Sequence, residues 1–508
     1  MPKQSFLKGA FILLLASILV KFMGFIYQIF IIRLITPEGI GIFNMIFPLY
    51  ITILVLTTAG LPPAIAKLTA EEIAAGKISN TEIILGTAIS MLLLISASLS
   101  FFFILLAPTL IKTLYADPRV LPAFLFLLPT LLFVAISSAI KGFFQGLQDM
   151  RPTAINQLIE QIVRISSGFL LVYFLQPYGL TWSAVGLSLA ILFSELSGLI
   201  YLITLYKKLF SAPLFRKPSL AMLKRLFAFG IPITITRIVS SSVTAIEASL
   251  IPQQIKKAGF SLSQATSFYG ELTGVAFTVL TIPSTLTYSL ATSLVPAISE
   301  AESKKQNQLL CQRTSEAIGI TLIAGVPCGL ILFCWGPLIT QLLFKVTQAG
   351  ELLKVLALGS VFLYLLQTTV GILQGLGYVK TIFLTTLVGS SIKLSGIYFL
   401  GAHPLFGSSR IALSYAASYL VVSLLNLSII KKKTGLSLQQ GFFLRLILAG
   451  LLLSYTLISL SPFVSQSIFL LILLTFTLAI LFFLILYLSG DQYVNLILKH
   501  LFRTLKKY

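Results

Sequence analysis

The chain reads as an all-α integral membrane protein of about fourteen transmembrane helices, two six-helix bundles in parallel repeat followed by two extra C-terminal helices. Three observations predict this. Only 10% of the 508 residues are charged and mean hydropathy is +0.99, against about 25% charged in an ordinary soluble domain. Apolar windows of roughly 20 residues, the length that crosses about 30 Å of hydrocarbon, recur from end to end. Short segments of the first half also reappear in the second half.

The first six windows cover residues 9–35, 40–64, 82–108, 119–141, 157–176 and 181–206, and make an N-terminal bundle over 1–206. A basic cytoplasmic linker, 207–225, follows. Windows 226–251, 266–296, 315–344, 352–376, 379–401 and 410–430 then make a C-terminal bundle over 226–430. Past Lys431, Lys432 and Lys433, windows 441–461 and 466–489 complete the chain as helices 13 and 14, within 431–489. No charged residue lies between Leu446 and Gly490, which suits a lipid-facing surface. Pro48, Pro129, Pro232 and Pro283 read as kinks inside spans, tolerated where neighbouring groups re-satisfy the freed backbone. The tail 490–508, with Lys499, Arg503, Lys506 and Lys507, reads as an interfacial helix on anionic lipid.

The basic residues set the orientation. With the N-terminus placed in the cytoplasm, 24 of the 36 Lys and Arg fall on the cytoplasmic side, seven on the other side and five within spans. The positive-inside rule therefore places both termini in the cytoplasm, and the formal net charge of +21 needs no nucleic-acid partner. The opening run resembles a signal peptide, but it lacks an A-x-A site and Lys21 follows the apolar stretch, so it reads as a retained first helix. Three cysteines and two histidines, His403 and His500, show no metal-ligand spacing. No phosphate-binding loop or nucleophile elbow is present, and no interhelix segment is long enough to fold as a nucleotide-binding module. The sequence calls for no cofactor, no metal and no catalytic residue.

Internal repetition carries more information. Phe144-Gln145-Gly146-Leu147 followed by Arg151 reappears as Leu373-Gln374-Gly375-Leu376 followed by Lys380, at an offset of 229 that also carries Arg164 onto Lys393. A second echo, Pro63-Ala64-Ile65-Ala66 against Pro296-Ala297-Ile298-Ser299, has an offset of 233. Six helices being an even number, both repeats face the same way and are related by an axis along the membrane normal.

Charged groups in a bilayer cost at least a few kcal/mol each and generally face a cavity or a partner. Lys21 and Arg237 lie deep in the first and seventh windows, and Arg164 and Lys393 at equivalent places in the fifth and eleventh. The four together predict a cationic central cavity suited to an anion. Glu160, four residues before Arg164, has two readings, an ion pair with it or a substrate contact. Glu195, alone in the middle of the sixth window, reads as a salt-bridge partner, a coupling-cation ligand or a protonated acid. Glu271, Arg33 and Glu247 lie near window ends, where long side chains reach the interface, and Glu271 stays a candidate for coupling or ion pairing.

Three stretches carry a resemblance: FLKGAFILLLASILVKFMGF at the start, AGLPPAIAKL after the second window, and GFFQGLQDMRPTAINQLIEQIVRI over 142–165. They resemble the stage V sporulation protein B group of polysaccharide-type transporters, in the superfamily that also holds lipid II flippases and multidrug-and-toxin extruders. The resemblance covers essentially the whole chain. It implies a twelve-helix core with two added helices, and movement of a lipid-linked oligosaccharide or peptidoglycan precursor across the cell membrane for wall or spore-cortex synthesis. Lys21, before a Gly-Phe shared with lipid II flippases, looks like a pyrophosphate-contacting position. Those flippases carry a further arginine just after the Gly-Phe and a basic residue in helix 8. This chain has Tyr27 near the first place and no Lys or Arg between Phe268 and Pro296. The implied partners are a lipid-linked anionic glycan, membrane lipids and wall-synthesis enzymes. Two other readings stand beside it: a cation-coupled drug antiporter using Glu195 and Glu271, and a non-transporting scaffold for wall-synthesis enzymes.

Overall fold

The computed structural model describes residues 6–210, 213–214, 219–402, 407–464 and 467–495. His403, His500 and most of the basic tail lie outside the described residues. Among the described residues the secondary structure is helical, without strands. Eleven helices are long and apolar enough to cross a membrane, or twelve if the bent pair Leu262–Leu280 and Ser284–Ser303 is one span. The count of fourteen is larger because it divides the 63-residue stretch Ile12–Ala74 and adds Leu220–Lys257. At about 1.5 Å per residue that stretch is roughly three times the thickness of the hydrocarbon core.

Its division has a visible cause. Helix α1 (Phe6–Thr58) is interrupted at Thr36, whose φ of 63° and ψ of 165° are non-helical. Pro37 follows, and a proline disfavours the helical conformation at the residue before it. Pro48 and Pro232 stay inside helices, whereas Pro129 and Pro283 part them. Pro129 separates α4 (Val120–Leu127) from α5 (Thr130–Gly146), and Pro283 separates α10 (Phe277–Leu280) from α11 (Ser284–Ser303) at the 59° bend.

Residues 1–256 with 261–270 form one compact unit. It contains α1, α2 (Leu61–Ala74), α3 (Ile78–Leu114), α4, α5, α6 (Arg151–Leu175), α7 (Leu180–Leu209), α8 (Leu220–Lys257) and α9 (Leu262–Gly270). This packing boundary falls two helices, α8 and α9, beyond the linker 207–225 at which the repeat divides the chain. Among the contacts that tie α8 to the rest of the first unit, Arg225 pairs with Glu72 at 2.6 Å, Gly230 packs on the backbone of Ala59 and Gly60, and the Ser249 hydroxyl donates to the Leu114 carbonyl. Thr266 on α9 donates to Asp117 at 2.8 Å.

Residues 257–260 with 271–508 form the second unit. A π-helical turn, Glu271–Ala276, leads into α10 and α11, followed by α12 (Asn307–Phe344), α13 (Gln348–Gly375), α14 (Val379–Gly401), α15 (Gly407–Thr434), α16 (Phe442–Val464) and α17 (Ile468–Leu488). The last two helices leave most of their apolar surface exposed, as a lipid-facing pair does. Trp335 anchors α16 to α12, its indole N–H donating to the Leu457 carbonyl at 2.9 Å.

Each unit contains the same close crossing. A Cβ placed on Gly142 would stand 2.5 Å from the Pro62 carbonyl oxygen, and one on Gly146 2.7 Å from that of Ala66. In the second unit a Cβ on Gly371 would stand 2.7 Å from the Ala291 carbonyl oxygen, and one on Gly375 2.9 Å from that of Val295. All four residues of the first crossing map onto the second at an offset of 229. The Pro-Ala-Ile echo at 233 is therefore one helical turn out of register with the packing. Backbone approach at glycine fixes the equivalence of these helices, and the identity of the side chains beside it does not.

Candidate functional site

Helix α6 brings polar chemistry into the first unit. Gln157, Gln161, Arg164 and Gly168 recur at spacings of three and four and so share one face. That face meets α1, where the Ser17 hydroxyl donates to the Gln157 side-chain oxygen at 3.4 Å. Higher along the same seam a pocket of about 220 Å³ opens, with Gln28 and Asn44 of α1 on one wall, Gln161 and Arg164 of α6 on another, and Leu187 and Ile191 of α7 behind.

Arg164 is held from α7. Its guanidinium donates to the Glu195 carboxylate at 3.3 Å and to the Ser194 hydroxyl at 3.4 Å. The arginine side chain is 33% exposed and the glutamate 12%, so the pair has one face toward the pocket and one in protein. A paired guanidinium with spare N–H groups is suited to a second anion, because its fork offers five donors and a single carboxylate occupies few of them.

Glu160 is not paired with Arg164. Its carboxylate takes Lys141 of α5 at 3.3 Å and also accepts from the Asn156 side chain. The reason is Gly198 on α7, where a Cβ would lie 2.7 Å from a Glu160 carboxylate oxygen. The bare glycine lets Glu160 settle between α5 and α7, and Arg164 turns to Glu195 instead. Two ion pairs thus lie along α6 and α7, each linking neighbouring helices, and the i, i+4 pair is replaced by them.

The remaining predicted residues are elsewhere. Lys21 on α1 and Arg237 on α8 are both exposed in the first unit and outside the lining of this pocket. Lys393 on α14 belongs to the second unit, half-buried, with its ammonium 4.9 Å from the centre of the Tyr415 ring. Glu271 is buried at the start of the π-helical turn, a helix irregularity that recurs at functional sites. The sequence reading missed Gln28, Asn44 and Gln161. Their signal was present as uncharged polar residues inside apolar windows, which a search for charge alone passes over. It also missed the cluster where Arg119 binds Asp117 and Glu38, each at 2.7 Å, fastening the start of α4 to the segment after Thr36.

A helical membrane fold with a polar, arginine-bearing pocket sunk among apolar helices has the architecture of a membrane transporter. The chain belongs to the polysaccharide biosynthesis protein family, which matches residues 6–302, and the MatE family matches residues 272–399. It is 33% identical over 446 residues to stage V sporulation protein B of Bacillus subtilis (strain 168), covering 86% of each chain. It is 24% identical over 460 residues to the lipid II flippase MurJ of the same organism, covering 85% of this chain and 83% of that one. Among solved structures, a lipid II flippase MurJ in an inward closed conformation superposes with a TM-score of 0.74 at 16% identity, over 95% of this chain and 99% of that one. The protein is a multi-pass membrane protein of this fold.

Proposed function

We propose that this chain is a flippase that moves a lipid-linked anionic oligosaccharide or peptidoglycan precursor across the cell membrane by alternating access, in cell-wall or spore-cortex synthesis. The observation that carries the reading is Arg164, a mid-helix guanidinium at a polar pocket with a carboxylate counter-ion on the next helix. Similarity to stage V sporulation protein B and to the lipid II flippase supports the class of cargo.

The physical problem fits the chain. A polyprenyl-pyrophosphate sugar has a head that cannot cross hydrocarbon and a tail that never needs to leave it. Basic side chains at membrane depth lower the cost of the head at mid-crossing, and binding through the pyrophosphate requires no recognition of the sugar. Arg164, Lys21, Arg237 and Lys393 are the residues to which we assign that task, on two six-helix bundles over 1–206 and 226–430, with fourteen crossings in all and both termini cytoplasmic. The protein acts without catalytic chemistry, and wall-synthesis enzymes are its proposed protein partners. With about two negative charges on the head, a potential of 100 mV, negative inside, favours outward movement by roughly 4 to 5 kcal/mol, at about 2.3 kcal/mol per charge.

The test is binding of a polyprenyl-pyrophosphate disaccharide to the full chain by native mass spectrometry. Arg164→Gln and the Lys21→Ala/Arg237→Ala double variant are each expected to lower binding at least tenfold. Unchanged binding in both would overturn the basic-site reading. The MatE match over residues 272–399 favours a second reading, a cation-coupled drug antiporter; the carboxylates we assign to coupling in it, Glu195 and Glu271, precede the matched residues. Extrusion of ethidium or norfloxacin by cells expressing the protein would establish it.

A further inference from the structure

On the same α1–α6 seam lies a second cavity, of about 360 Å³, lined by Met23, Ile26 and Phe30 of α1 and Ile165 and Phe169 of α6, with an almost wholly apolar wall. It and the polar pocket share one residue, Tyr27. At about 100° per residue, Gly24, Gln28 and Ile31 occupy the arc of α1 that faces the polar pocket, and Met23, Ile26 and Phe30 the arc that faces the groove. Tyr27 falls between the two. On α6, Gln161 and Arg164 face the pocket and Ile165 and Phe169 face the groove, while Gly168 lies on the pocket arc, one turn beyond Arg164. The Tyr27 hydroxyl sits in the space over Gly168 that a Cβ would fill, and its ring meets Phe169 edge-on at 5.5 Å. Tyr27, seated on a bare glycine, thus stands between an arginine-bearing pocket and an apolar groove whose Ile26 and Phe30 are exposed.

We propose that this seam is a lateral portal for one polyprenyl phosphate lipid: its phosphate lies at Arg164, its chain leaves along the groove, and Tyr27 over Gly168 is the gate. The cation on one side and the apolar groove on the other match the two ends of such a molecule, and Tyr27 lines both. Polar contacts hold the seam at both ends, Ser17 to Gln157 and the Gln176 amide to the Leu34 carbonyl at 3.1 Å, so that opening at Tyr27 leaves the helices joined. This rests on the flippase reading for the identity of the lipid, and adds the route of its tail within the first unit.

The experiment uses the full chain in phosphatidylcholine nanodiscs with a photoreactive benzoylphenylalanine at Ile165, and a control with the same group at Leu170, which is exposed and outside the groove. The probes are decaprenyl phosphate, uncharged decaprenol, and inorganic pyrophosphate as a soluble competitor. Labelling at position 165 is expected to favour decaprenyl phosphate over decaprenol at least fivefold, with no preference at position 170, and Arg164→Gln removes the preference. Gly168→Ala, which displaces the Tyr27 hydroxyl, and Tyr27→Ala, which removes the ring without crowding the seam, are both expected to raise labelling at least twofold. Equal labelling by the two lipids, or a preference that survives Arg164→Gln, overturns the portal and leaves a groove filled by bulk lipid. Pyrophosphate bound at Arg164 with no preference at position 165 also overturns it, in favour of a free-anion site. Unchanged labelling in both Tyr27→Ala and Gly168→Ala overturns the gate. A protein that passes these tests but does not move lipid-linked glycan in proteoliposomes loses the flippase reading alone, whereas one that moves it without labelling loses the portal alone.

Discussion

The two copies of the repeated crossing share their backbone contacts and differ in their polar partners. Gly142 and Gly146 meet α2 as Gly371 and Gly375 meet α11, each residue displaced by 229. At the same offset Arg164, paired with a carboxylate at 3.3 Å, becomes Lys393, which lies against the Tyr415 ring at 4.9 Å. Asp149, bound by Arg151 at 2.8 Å, becomes Tyr378, whose ring takes Lys433 at 5.3 Å. In both places the first unit meets a cation with a carboxylate and the second meets one with an aromatic face. A carboxylate meets the cation with an opposite charge, whereas an aromatic ring meets it with the negative face of its quadrupole. Helix spacing is insensitive to such exchanges because it depends on the absence of a Cβ, and no substitution among polar groups alters that.

The largest effect should come from attacking what the two copies share. Gly142→Leu and Gly371→Leu each drive a side chain into a carbonyl of the facing helix, where overpacking costs about 3 kcal/mol. Both are expected to reduce the yield of monodisperse protein severalfold in size-exclusion chromatography. A variant of only one position that is tolerated would show that the two crossings are not equivalent in energy.

Next comes the contrast between partners. Glu195→Gln leaves a largely desolvated guanidinium without its counter-ion. Breaking a fully buried pair costs about 3–5 kcal/mol, and the exposed third of Arg164 brings the expectation down to roughly 2 kcal/mol. Tyr415→Leu in the second unit removes a cation–π contact and should cost about 1 kcal/mol. Thermal unfolding in detergent measures both, and the comparison breaks if Tyr415→Leu proves the more damaging.

The smallest effect lies at the helix ends. Hydrogen bonds from the Arg151 guanidinium, followed by a backbone N–H and the charge itself, hold the Asp149 carboxyl below the usual carboxylate range. A carboxyl whose folded pKa is depressed contributes stability above its unfolded pKa, and loses that contribution as pH falls through the folded value. Asp149→Asn should therefore cost up to about 1 kcal/mol at neutral pH, and the difference from wild type should shrink as pH falls below about 4. Tyr378→Phe should show no such acid dependence. Melting temperatures of both variants across acid pH decide whether the two ends differ in this way.

The sequence by itself determined the medium and the period. Apolar windows, the bias of Lys and Arg between loops, and Arg164 falling on Lys393 are local or linear properties, and they were legible as such. The break at Thr36 was legible too, as the gap between the windows 9–35 and 40–64. Only the tertiary structure decided partners. Glu160 and Arg164 are one turn apart and of opposite charge, yet each pairs with another helix, because Gly198 opens a seat for one and Glu195 stands across from the other. The register of the repeat was settled likewise, at 229 throughout, by carbonyls lying against glycines. Gln28, Asn44 and Gln161 become a pocket only when α1, α6 and α7 converge on them. Hydropathy is a sum over neighbours in the chain, whereas pairing depends on how each helix is rotated against the next, and that rotation is fixed by packing between residues tens of positions apart.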